Sequence, residues 1–209
     1  LHFERHMETR PDALLLKFAG TNCDEETARA LRAVGFDAEI MPFPLVSQER
    51  IEQADLVVLA GGFSYGDYIM AGKLAQLELQ QKLGSPLKTF HDHGGFLLGI
   101  CNGFQVLTEA GLLPGALQKN SGLKFLCQPT VLRVDSTDSV LTRRATIGAE
   151  LSVPINHFEG NYTCDVETLA RLRDEDRIVL RYVDNPNGLS LIHISEPTRR
   201  YAIEDSGLL

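Results

Sequence analysis

The 209-residue chain has no run of 18 apolar residues, so nothing in it is long enough to span a membrane as a helix. Its opening, Leu1-His2-Phe3-Glu4-Arg5-His6-Met7, lacks the apolar stretch that a secretory leader needs. Cysteine is scarce and scattered. Cys23, Cys101, Cys127 and Cys164 include no C-x-x-C pair, which argues against a zinc knuckle or a disulfide framework, implies no metal site, and suits a reducing cytoplasm. Positive charge is outnumbered, with 20 Lys and Arg against 28 Asp and Glu and a net charge of −8, so neither nucleic acid nor an anionic membrane is expected as a main partner. There is no internal repeat and no low-complexity linker. The length fits one domain with a single sizeable core, and 44% hydrophobic against 23% charged residues is ordinary for a soluble globular protein.

Apolar runs alternate with helical patterns over the first half of the chain. Ala13 to Phe18, Asp37 to Met41, Leu56 to Ala60 and Phe96 to Ile100 read as strands, the last of them buried. Between them, Glu25 to Val34, Ser47 to Gln53, Gly72 to Leu83 and Pro86 to His93 read as helices. Leu56-Val57-Val58-Leu59-Ala60 is continuously apolar, as expected when both faces of a strand are covered. This alternation predicts an α/β fold with a mostly parallel central sheet and helices on both faces. Ligands then bind beyond the carboxyl ends of the strands. From Gly122 to Tyr162 the rhythm changes to short β-like runs: Lys124 to Cys127, Thr130 to Val134, Glu150 to Val153 and Phe158 to Tyr162. They predict a small antiparallel extension at one edge of the main sheet, followed by a helix over Val166 to Arg173 and a strand over Ile178 to Tyr182.

Gly99-Ile100-Cys101-Asn102-Gly103 sits where the fourth strand gives way to a helix beginning at Phe104. Small residues on either side of a cysteine at a strand-to-helix turn make the thiol version of the nucleophile elbow. The helix N-terminus behind it favours thiolate over thiol. Taken alone, the pattern fits a small buried structural cysteine as well as a nucleophile.

Further loops point the same way: Gly20-Thr21-Asn22-Cys23-Asp24, Gly61-Gly62-Phe63-Ser64-Tyr65-Gly66-Asp67-Tyr68, Asn156-His157-Phe158-Glu159-Gly160-Asn161-Tyr162, and Asp184-Asn185-Pro186-Asn187-Gly188. With the elbow, and in this order, they resemble the glutaminase subunit of phosphoribosylformylglycinamidine synthase, a class I (triad) glutamine amidotransferase, over about Met7 to Gly188. The resemblance implies a flavodoxin-like fold and hydrolysis of L-glutamine to glutamate and ammonia. The ammonia would feed conversion of formylglycinamide ribonucleotide to the amidine in purine biosynthesis. It implies Cys101 as nucleophile, Gly62 (or its neighbour Phe63) and Asn102 as backbone donors to the oxyanion, and Gln105 as a contact for the substrate's amino-acid end. It also implies a synthetase subunit that uses ATP and Mg, a small accessory subunit, and no cofactor held by this chain. Tyr65 and Asp67 are expected to shape their loop, Cys23 to be structural, and His91 and His93 to be solvated. His157 and Glu159 fall outside the family's triad and are expected to form a site wall or a partner-facing element.

In that family the general base and its orienting carboxylate come from a C-terminal His-Pro-Glu, which does not occur in this sequence. His193 and Glu196 lie too close to Gly188 and at the wrong spacing to replace it. The amidotransferase domain is therefore expected over 7–188, C-terminally incomplete, with 1–6 and 189–209 as non-native flanks; the tail resembles translated adapter read-through. Two alternatives stay open beside the glutaminase: a catalytically dead fragment of that subunit, and a stand-alone cysteine hydrolase of related fold.

Overall fold

The structure is a computed structural model that describes residues 10–62, 81–187 and 194–195. The chain divides into two compact units, Leu1–Phe104 and Gln105–Leu209. In the first, β1 (Asp12–Lys17), α1 (Asp24–Ala33), β2 (Asp37–Pro42), α2 (Gln48–Glu52), β3 (Leu56–Leu59), α3 (Gly84–Asp92) and β4 (Phe96–Gly99) follow one another. The strands form one sheet in the order β2-β1-β3-β4, and every pairing is parallel. Leu14, Leu15 and Leu16 of β1 and Val57, Val58 and Leu59 of β3 are all buried. Successive strand residues point to opposite faces, so burial of consecutive residues means that both faces are covered.

Local chemistry explains the helix boundaries. α1 opens with Asp24, Glu25 and Glu26 and closes with Arg32, charges that complement the helix dipole at each end. Gly35 then takes a φ of +104° and stops it. Ser47 caps α2 by accepting from the Arg50 N–H at 3.2 Å. Because all four strands are parallel, their carboxyl ends lie along one edge. The chain leaving β1, β3 and β4 emerges there, which sets Thr21–Asp24, Gly61–Gly62 and Cys101 near one another. One reading changes: β4 is half-buried rather than buried, since among the described residues it pairs only with β3.

The helix α4 (Asn102–Glu109) runs across the boundary between the units. The second unit contains β5 (Ala116–Gln118), β6 (Leu126–Val134), β7 (Glu150–His157), β8 (Asn161–Thr163), α5 (Val166–Asp174), β9 (Ile178–Tyr182) and β10 (Ile194–Ser195). β10-β9-β6-β7 make an antiparallel sheet, and β5 pairs with β8. Leu132, Val134, Val179 and Leu180 form its buried cluster. The two runs Lys124 to Cys127 and Thr130 to Val134 join in one strand, β6, which begins only at Leu126. Pro129, between the two runs, sits directly opposite Pro154, so both missing donors fall at a single step of the ladder. For the same reason β7 continues to His157, and Phe158 lies in the turn before a shorter β8. The expected helix over Gly72 to Leu83 lies almost wholly outside the described residues.

Leu15 is fully buried between the covers of the parallel sheet. Leu15→Ala is therefore expected to cost about 2–5 kcal/mol, read as a lowered urea midpoint with an unchanged slope.

Candidate active site

The backbone turns sharply after β4. The Ile100 N–H still donates to Leu59 O at 3.0 Å, continuing the ladder with β3 for one residue. Cys101 then adopts a φ of +55°, the left-handed region that a side chain rarely enters. The Gly103 N–H closes the turn on Ile100 O at 2.9 Å, and α4 begins at Asn102. Such strain persists only when the surroundings over-determine it, and it collects at functional sites. Here the surroundings are visible: a Cβ on Gly103 would lie 1.9 Å from Leu59 O, so only glycine lets the helix start this close to β3. The Cys101 thiol is left exposed at the carboxyl edge of the sheet.

The Gly61–Gly62 turn lies against this elbow. A Cβ on Gly61 would stand 2.8 Å from Cys101 Cβ and 3.7 Å from its Sγ. Gly62 has a φ of +76°, and a Cβ there would meet Asn22 Oδ1 at 2.0 Å and Cys23 Sγ at 2.4 Å. One face of the turn thus meets the nucleophile candidate and the other meets the loop after β1. Burial, followed by the Glu26 carboxylate, pushes the Cys23 thiol pKa up; burial does the same for Cys164, helped by Asp165.

In the second unit, Gln105 Nε2 donates to Glu159 Oε2 at 3.0 Å and to Glu109 Oε1 at 3.3 Å. With its amide hydrogens so engaged, what Gln105 offers a third group is its carbonyl oxygen. Asn120, 1% exposed, ties this region together: its Nδ2 donates to His157 O and Lys124 O, and its Oδ1 accepts from the Gly160 N–H. Glu159 turns its carboxylate to Gln105, while His157 Nδ1 is buried and has no hydrogen-bonding partner among the described residues. The two are therefore not assembled as a base and its orienter. Asn120 and the Glu159–Gln105 bond were not legible as functional features, since nothing in sequence spacing brings residues 105, 120 and 159 together.

His91 Nδ1 lies 3.3 Å from Gly95 O at the end of α3, and so caps its own turn. Phe63, Tyr65, Asp67, His193 and Glu196 lie outside the described residues. Among the described residues, no three His, Cys, Asp or Glu side chains gather as metal donors, and no helix is long and apolar enough to cross a membrane.

Residues 10–202 match the CobB/CobQ-like glutamine amidotransferase domain family. The chain is 46% identical over 176 residues to the phosphoribosylformylglycinamidine synthase subunit PurQ of Cereibacter sphaeroides, covering 84% of this chain and 77% of that one. It is 43% identical over 183 residues to the subunit of the same name from Koribacter versatilis, covering 83% of this chain and 77% of that one. The chain belongs to the PurQ family of glutamine amidotransferases. The PurLQS structure from Thermotoga maritima superposes on 90% of this PurQ-family chain and 84% of its own, with a TM-score of 0.76 and 34% identity. The α/β fold with a parallel sheet and an antiparallel extension is thus the family's own.

Two outcomes follow from this geometry. Iodoacetamide at neutral pH should label Cys101 ahead of Cys23 and Cys164, whose thiols are held protonated, and ahead of Cys127 on β6; peptide mass spectrometry reads the order, and faster labelling of Cys127 would contradict the elbow. Burial lowers the pKa of His157 below its ordinary 6.5. The unfolded chain then takes up a proton that the folded chain refuses as the pH drops below 6.5, so stability present above that value falls with pH through the window down to the folded pKa. His157→Gln should flatten this part of the melting-temperature profile.

Proposed function

We propose that the chain is the glutaminase subunit of a phosphoribosylformylglycinamidine synthase. It hydrolyses L-glutamine to glutamate and ammonia, and the ammonia passes to a synthetase subunit. That partner, with a small accessory subunit and using ATP and Mg, converts formylglycinamide ribonucleotide to formylglycinamidine ribonucleotide in purine biosynthesis. The observation that carries the reading is the strained, exposed Cys101 at the start of α4, in a chain 46% identical to a PurQ subunit. The unbridged cysteines suit a cytoplasmic setting.

In this reading Cys101 Sγ attacks the side-chain amide carbon of glutamine. The oxyanion that forms is held by the backbone N–H groups of Asn102 and Gly62, donors fixed in place before charge develops. Collapse expels ammonia and leaves a γ-glutamyl thioester, which water hydrolyses to regenerate the thiol. The Gln105 carbonyl oxygen, its amide nitrogen spent on Glu109 and Glu159, is the acceptor for the substrate's α-ammonium.

Ammonia leaves as a neutral amine only after it is given a proton, and a positioned acid–base group is worth roughly 10²–10⁴-fold. Glu159 is turned to Gln105, and burial lowers the pKa of the half-buried His157, so these two do not form a base and its orienter.

Ammonia release from glutamine, measured with and without a synthetase subunit, tests the assignment. Turnover by the chain as it stands should be low, and should rise by about 10²-fold or more when residues 189–209 are replaced by a family-like end carrying His-Pro-Glu. Cys101→Ala should abolish the gain. His193→Ala and Glu196→Ala in the present chain should change nothing; loss of a robust activity on either change would make the tail itself catalytic.

A further inference from the structure

Asn22 and Cys23 take no part in the chemistry just described, yet they fill the space over the turn that faces the nucleophile. The Asn22 N–H donates to Gly62 O at 2.9 Å. Asn22 Oδ1 and Cys23 Sγ, 3.5 Å apart, occupy the side of Gly62 on which a Cβ would project. The loop that carries them is itself anchored. The Cys23 carbonyl accepts from Thr27 N at 3.1 Å and from Thr27 Oγ1 at 2.6 Å, and the nearly buried Asp24 is ion-paired with Lys17 Nζ at the end of β1.

We propose that Asn22 and Cys23 are positioning residues for the glutaminase reaction: from the loop after β1 they hold Gly62 in its left-handed conformation and so fix the Gly61–Gly62 turn beside Cys101. An unrestrained glycine crosses readily between left- and right-handed backbone, and each crossing re-aims its N–H. A donor to an oxyanion is effective only if its direction is set before the charge appears. The hydrogen bond from Asn22 holds the carbonyl end of Gly62, and the two side chains close off the space it would swing through. The Gly61 side of the turn, against Cys101 Cβ, completes the clamp. This inference rests on the reading of Gly62 as an oxyanion donor.

The test compares two reactions of Cys101 in the full chain. Acylation by the γ-p-nitrophenyl ester of glutamate forms the Sγ–carbonyl bond, breaks the aryl ester bond and releases p-nitrophenolate. That leaving group departs as an anion and needs no proton, so the step does not depend on a general acid, but it passes through an oxyanion. Alkylation by iodoacetamide displaces iodide and develops no oxyanion. In the double variant Asn22→Ala, Cys23→Ala, matched to the parent by circular dichroism, the acylation rate at Cys101 should fall about tenfold or more, toward the roughly 10²–10³ that loss of a donor costs. The alkylation rate should stay within about twofold, since the helix start behind the thiol is untouched. Cys23→Ser, which keeps a smaller polar atom over Gly62, should retain more acylation than Cys23→Ala. The single variants carry the same comparison if the double one does not fold. Equal acylation in parent and variants, or a parallel fall in both reactions, overturns the positioning role. If the parent's Cys101 is acylated no faster than its Cys127, the glutaminase reading itself fails, and this inference with it.

Discussion

The first unit depends on how closely the chain passes itself at the carboxyl ends of β3 and β4. Leu59 O accepts from the Ile100 N–H at 3.0 Å, and the same carbonyl leaves no room for a side chain on Gly103. Two residues beyond β3, Gly61 leaves no room for one beside Cys101 Cβ. Between these contacts Cys101 is held in a left-handed conformation, which costs about 1–2 kcal/mol for an L-residue. The parallel sheet bears that cost. Leu14, Leu15, Leu16, Val57, Val58 and Leu59 are buried on both faces, so the strand ends cannot drift apart to relieve the turn.

Polar groups do the corresponding work in the second unit. Asn120 is almost wholly buried, and its carboxamide is used in three hydrogen bonds that join its own loop to the end of β7 and the turn before β8. A buried amide left half-satisfied would be costly, and a satisfied one defines a single arrangement. The arrangement it defines sends Glu159 to Gln105, and burial lowers the pKa of His157. A His-x-Glu in sequence therefore serves as a support for a glutamine, not as an acid–base pair.

Much of this was legible in the sequence, because parallel strands, helix caps and the elbow depend on near neighbours. Continuous apolar runs marked β1 and β3, acidic residues marked the start of α1, and the glycine-flanked Cys101 marked the turn. The errors have a shared cause. Lys124 to Cys127 and Thr130 to Val134 read as two strands until Pro129 is found opposite Pro154 in the register, and Phe96 to Ile100 reads as buried until β4 is found, among the described residues, paired on one side only. Each depends on what lies across a strand pair, which spacing along the chain does not contain.

The sequence by itself determined the fold class, the family and the nucleophile candidate, since each is written in a short segment whose local geometry permits few alternatives. Only the tertiary structure decided that Asn22 and Cys23 press on Gly62, that Glu159 belongs to Gln105 and not to His157, and that one buried asparagine organises residues 120 to 160. Those relations are made by residues 37 to 54 positions apart. Burial and hydrogen-bond satisfaction select such partners only after the strands have paired, because until then every polar group has water as an equal alternative.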